Sequence, residues 1–345
     1  MDVRFSPEQD ALRDAARHVA EQLGPHRVAD LDDAERAAKL DAAVASSGWR
    51  ELRTPVDSAA TPLASAVEVA VVAEQLGRVV ADTAFLGPTL AADLRRLGGA
   101  DVAQRPETVA LTPDLAGPAL ASGGVAPGDV RALDAHGAVD ALVLVPGDNG
   151  HRLATVGLGA HVPGVDLTRT AHALEAGSVT VIDSQPLGAD ELARWQTLGL
   201  AASCADLVGV MSGALDLATE YARQRRQYGA PIGSFQAVAH LLADAHTAME
   251  GSRSIALHAA WAVDALEPSD ALGAVAAAKA YCARAARSVC ETAIQVHGGI
   301  GNTWECSAHL YLRRALFSGE LLGGVGACLD RVLSARGIGG AGGLR

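Results

Sequence analysis

Tyr221-Ala-Arg-Gln-Arg225-Arg-Gln-Tyr-Gly-Ala-Pro-Ile-Gly-Ser-Phe-Gln236 and, about sixty residues on, Gln295-Val-His-Gly-Gly-Ile-Gly-Asn-Thr303 decide how this chain reads. The first stretch closes a helical pattern with clustered arginines and turns on Gly229, Pro231 and Gly233. The second closes another helix in a glycine-rich turn carrying His297. Upstream of Tyr221, apolar or small residues recur at Leu200, Cys204, Leu207, Val208, Met211, Leu215, Ala218 and Ala222. Steps of three and four mark one face of a long helix. Comparable helices are expected at 234–265 and 269–296, with shorter ones to about 335. The glycine-rich tail 337–345 reads as loose.

Working outward, Ser6-Pro7-Glu8-Gln9 is a helix start: Ser6 caps, Pro7 suits the first turn, and Gln9 completes a capping box. That helix should reach about Gly24, and others are expected near 34–47, 65–79 and 88–98. The pattern then changes to short apolar runs, Thr108–Leu111, Ala141–Val145 and Val179–Ile182, with a hairpin turn at Gly147-Asp-Asn-Gly150. The expected class is mainly α with a β insert. An N-terminal helical domain (1–105) precedes a small middle β-domain (106–186) and a C-terminal four-helix bundle (187–345).

Apolar content of 49% supports a sizeable core, and aromatics at 3% make it a core of Ala, Leu and Val. A net charge of −12 argues against nucleic acid or an anionic membrane as partner. Lys39 and Lys279 are the only lysines. Five cysteines without metal-ligand spacing imply no metal site and reduced, mostly buried thiols in a cytosolic protein. The longest apolar stretch, 198–218, is broken by Ser203, Asp206, Ser212 and Asp216, which speaks against a membrane span.

The two quoted stretches resemble the flavin-binding signatures of the acyl-CoA dehydrogenase family, and the order helices, β insert, helices is also that family's. The likeness is strongest over about 200–320, and the family includes actinobacterial-type pairs of unlike chains. The resemblance implies FAD, with its diphosphate in a cleft between subunits. By itself the cluster Arg223, Arg225, Arg226 reads as a solvated helix end or a phosphate contact; the flanking motif favours phosphate. Arg225, Gln227 and Tyr228 match the family's arginine stretch, with Tyr228 replacing the usual phenylalanine. Phe235 and Gln236 match its Phe-Gln pair, and Gln295, Gly298 and Gly299 its glutamine and paired glycines. His297 is expected to pack or hydrogen-bond near the flavin rather than act as a base.

The resembled reaction is α,β-dehydrogenation of an acyl thioester on CoA or a carrier protein: a carboxylate removes the α-proton and hydride passes to the flavin. Counting from Gly298, the family's usual base position is Leu322; the alternative on the preceding helix falls near Gly199. Neither takes a proton. Glu320 is the leading substitute, although two residues along a helix rotate a side chain by about 200°. Asp206 reads as a solvated or interface acid, and Glu305 as a cap or a partner of Arg313 or Arg314. In the middle domain Leu111-Thr-Pro-Asp114 is the nearest vestige of the family's Thr-Glu-Pro turn, and no Gly-Ser-Asp occurs. Three readings follow: an FAD-dependent dehydrogenase as a homodimer or tetramer; a catalytically incomplete subunit of an α2β2 assembly; or a repurposed, dehydratase-like member.

Overall fold

The structure is a computed structural model that describes residues 4–122, 129–177 and 179–338. Most of the tail expected to be loose, 339–345, lies outside the described residues. Four helices come first: α1 (Pro7–Leu23), α2 (Ala34–Ser46), α3 (Ala66–Arg78) and α4 (Leu86–Leu97). The capping box forms: Gln9 N donates to Ser6 Oγ at 3.2 Å and Ser6 N to Gln9 Oε1 at 3.0 Å.

Six strands follow: β1 (Glu107–Leu111), β2 (Arg131–Leu133), β3 (Asp140–Gly147), β4 (Gly150–Val162), β5 (Ala171–Leu174) and β6 (Thr180–Val181). The β3–β4 hairpin closes on Gly147 opposite Gly150, so its loop is the two residues Asp148 and Asn149. β3 pairs with β1, β1 with β2, β2 with β5, β5 with β4, and β4 with β3 again. The ring of pairings is closed, so the insert is a small barrel with β6 along β4. Its alternation is clean. Ala110, Ala132, Ala141, Val143, Val145, Ala154 and Val156 form one small core of compact side chains. Their neighbours Val109, Leu111, Leu133, Leu142, Leu144 and Leu153 join the large core shared with the helices. Burial on both faces explains the near-continuous apolar runs.

The C-terminal bundle is α5 (Ala189–Gln224), α6 (Gln236–Ala265), α7 (Pro268–His297) and α8 (Ala308–Glu320), with α9 (Val325–Ala335) lying on α7. α5 is its axis, packed by α3, α6, α7 and α8. It is long and apolar enough to cross a membrane, but its most apolar window is 94% buried within the protein. A Cβ on Gly209 would come within 2.0 Å of Glu74 O, so α3 and α5 cross almost backbone to backbone. Between α5 and α6, β7 (Arg226–Gln227) and β8 (Ala230–Pro231) form a short hairpin.

All three segments meet in one buried ion network. Asp206 of α5 accepts from Arg314 Nη2 at 2.7 Å and from Ser318 Oγ at 2.7 Å, both on α8. Arg169, just before β5, lies 3.2 Å from Asp206 and 2.7 Å from Asp134, which follows β2. Asp134 accepts from Leu86 N at 3.0 Å, capping α4. Arg314 also donates to Ala81 O at 2.8 Å.

Candidate functional site

The two diagnostic stretches come together at one end of the bundle. Tyr221, in the last turn of α5, stacks on His297, the last residue of α7, with ring centroids 4.5 Å apart. His297 is buried, and its Nδ1 lies 2.7 Å from Ala293 O. A carbonyl only accepts, so Nδ1 carries the proton and the ring is held as a packing element. Arg225 ends α5 and starts the hairpin; its N–H donates to Tyr221 O at 2.8 Å and its carbonyl accepts from Ile232 N at 2.8 Å. Its exposed guanidinium has no hydrogen-bond or acidic partner among the described residues. Arg223 reaches Glu220 at 4.0 Å, and Arg226 donates to Gly229 O at 3.1 Å.

Tyr228 stands at the hairpin tip, 95% exposed, with φ +50° followed by Gly229 at +81°. Both central residues lie in the left-handed region, as a type I′ hairpin turn requires. Phe235 caps the start of α6, 37% exposed, and meets the Tyr228 ring edge-on at 6.2 Å. Gln227, Gln236 and Gln295 are exposed around this end. Gly298 turns the chain at φ +65°, and nothing lies within 4 Å of where a Cβ on Gly298 or Gly299 would be. Those peptides are open to close approach by a ligand.

The turn that should carry the base lies elsewhere in the bundle. From Lys279 to His297 is about 27 Å along α7, at roughly 1.5 Å per residue. Leu322 is fully buried, with φ +61°. That conformation costs about 1–2 kcal/mol for an L-residue and is held by its surroundings. Leu322 N donates to Leu115 O at 2.8 Å, so the Thr112–Asp114 turn region is latched onto it. Lys279 Nζ donates to Leu321 O at 2.6 Å, Arg331 Nη1 to Leu322 O at 2.8 Å, and Cys328 Sγ to Gly323 O at 3.4 Å. Burial pushes the Lys279 ammonium below the usual lysine value. A Cβ on Gly199 would lie 2.1 Å from Leu322 Cδ1. The two positions that the resemblance assigns to a base therefore face each other, and both are apolar.

The acids named from sequence are placed differently. Glu320, the last residue of α8, is exposed, and its carboxylate lies over Gly324. Asp206 is not a solvated acid; it is 2% exposed at the centre of the ion network. Burial opposes its charge, but Arg314 and Arg169 outweigh that and hold its carboxyl at about 2. Asp206 faces the core because α8 brings Arg314 to it, a contact that helix periodicity cannot reveal. Glu305 is exposed and joins neither Arg313 nor Arg314, since Arg314 is taken by Asp206 and Arg313 leans on Trp304. The clamps on the 321–323 turn, Lys279 and Arg331, carry no local motif; the rarity of lysine in the chain is the one signal pointing to Lys279.

Known proteins bear on this arrangement. Residues 197–336 match the family model "Acyl-CoA dehydrogenase, C-terminal domain". Acyl-CoA dehydrogenase IpdE2 of Mycobacterium tuberculosis is 32% identical over 326 residues, covering 91% of this chain and 93% of that protein. Acyl-CoA dehydrogenase FadE34 of the same organism is 42% identical over 154 residues, 44% of this chain but only 22% of the relative. Among solved structures, the Tcur3481–Tcur3483 steroid ACAD G363A variant superposes with a TM-score of 0.77 at 26% identity, covering 96% of this chain and 98% of the other. A chain of the ChsE4–ChsE5 complex from Mycobacterium tuberculosis shares the fold, with a TM-score of 0.79 at 24% identity over 99% of this chain and 100% of that one. With that likeness to IpdE2 running through all three segments, the chain belongs to the acyl-CoA dehydrogenase family.

Proposed function

We propose that this chain is an FAD-binding subunit of an acyl-CoA dehydrogenase. It would take part in α,β-dehydrogenation of an acyl thioester while a related chain supplies the base. The observation that carries this reading is the Gly199–Leu322 contact: both base positions are apolar and packed against each other. The free guanidinium of Arg225 fits a diphosphate through charge-assisted hydrogen bonds. The uncovered peptides of Gly298 and Gly299 fit the same anion, and Gln227, Gln236 and Gln295 offer amides around it. Tyr228 and Phe235 offer apolar faces at the same end. The flavin, when bound, accepts the hydride.

The separation along α7 supports a shared site. The Arg225 end and residue 322 of one chain lie at opposite ends of that stretch of α7. Each flavin would thus draw phosphate contacts from one subunit and its ring environment from the other. In an assembly of unlike chains, this one would lend its Arg225 end to a partner whose own turn bears a carboxylate. The acyl carrier is CoA or a carrier protein.

The test is visible absorption of the purified chain, alone and co-purified with a base-bearing relative, before and after anaerobic addition of acyl-CoAs. The pair should be yellow and bleach; the chain alone should not. If the chain alone reduces its own flavin, the incomplete-subunit reading fails but the dehydrogenase reading stands. If no flavin is held in either form, both fail.

A further inference from the structure

A cavity of about 300 Å³ opens between the end of α2, α4 and the segment 100–107 leading into β1. That volume is at the lower end for small-molecule sites. None of Leu322, Gly199, Arg225 or Gln295 lines it, so it is separate from the Leu322 turn and from the Arg225 end of the bundle. Its walls are mostly apolar, from Pro55, Pro88, Ala92, Val102 and Ala138.

The polar groups on its lining are not equivalent. Arg95 is tied to Glu107, with Nη2 to Oε2 at 2.9 Å, and donates to Asp101 O at 2.8 Å. That pair neutralises itself. Arg50 differs. Its Nε donates to Ala84 O at 2.7 Å, and its Nη2 donates to Asp41 and to Thr83 Oγ1 at 3.2 Å. Its Nη1 has no acceptor among the described residues, although the side chain is only 14% exposed. A guanidinium anchored on two sides, with one free donor edge beside apolar walls, is built for an acceptor on a hydrocarbon body.

We propose that this cavity is a second, non-catalytic binding site for a small apolar monocarboxylate. The carboxylate pairs with Arg50 Nη1, and the hydrocarbon lies against Pro88 and Ala92.

Calorimetric titration of the 345-residue chain with octanoate and, separately, octylamine tests it. Octanoate is expected to bind with one site per chain and octylamine at least about tenfold more weakly, because the free edge is a donor. Ala92→Phe fills the cavity without touching the Arg50 anchors and should weaken octanoate at least about tenfold. No octanoate binding, equal binding by octylamine, or equal binding by A92F would each overturn the proposal.

Discussion

Leu322 Cδ1 occupies the space that a side chain on Gly199 would need: a Cβ there would lie 2.1 Å from it. Leu90 closes the other side, its methyls 3.3 and 3.5 Å from the same point. The pair is a steric lock between α5 and the turn after α8, and its coupling can be measured.

Gly199→Ala gains about 1 kcal/mol of helix propensity but overpacks the core by about 1–3 kcal/mol, so it is expected to destabilise. Leu322→Ala should cost about 2–5 kcal/mol through lost burial and the cavity left behind. In the Leu322→Ala background the 2.1 Å clash is gone, and the propensity gain outweighs the 3.3 Å approach to the flexible Leu90 side chain. G199A should then stabilise. Urea denaturation of the four proteins decides it, and an effect of one sign in both backgrounds would refute the lock.

Asp206→Asn leaves Arg169 and Arg314 without their shared carboxylate. The expected loss is about 3–5 kcal/mol. The wild-type pH dependence has a definite sign. The Asp206 carboxyl titrates at about 2 in the folded protein, below its value of about 3.9 in an unfolded chain. Its contribution is fully present above the unfolded value and is lost as pH falls towards the folded one. Thermal melts between neutral pH and pH 3 should decline more steeply for wild type than for D206N; parallel profiles would mean the network does not depend on this charge.

Lys279→Met removes the ammonium that holds Leu321 O. Burial lowers the lysine's folded value, so the unfolded chain binds the extra proton. Stability should therefore rise with pH through the window below the ordinary lysine value of about 10.4. That alkaline rise should flatten in K279M. Denaturant midpoints between pH 7 and 10 check it, and an unchanged slope would assign the rise to other groups.

Glu320→Gln is expected to leave flavin reduction by acyl-CoA within a factor of about two in the co-purified pair, because the carboxylate lies exposed over Gly324. A loss of about a hundredfold or more would assign Glu320 the proton transfer after all.

Local chemistry made much of this protein legible before any tertiary contact. Helix starts are short-range events, so the Ser6–Gln9 box and the α5 stripe could be read directly. The Gly147–Gly150 hairpin is local for the same reason, as are the two stretches at 221–236 and 295–303. Barrel closure was not readable. β4 carries Gly150, Gly157 and Gly159 and no continuous apolar run, and it earns its place by pairing with β3, β5 and β6. The same holds for Asp206, whose position on its helix suggested solvent until Arg169 and Arg314 arrived from other segments. Sequence by itself determined the helices and their order, because those depend on neighbours along the chain. Only the tertiary structure decided that Leu322 seals against Gly199, that Lys279 grips the turn beneath it, and that the Arg225 end lies far from both. Those relationships join residues distant in sequence, and packing alone selects which of them meet.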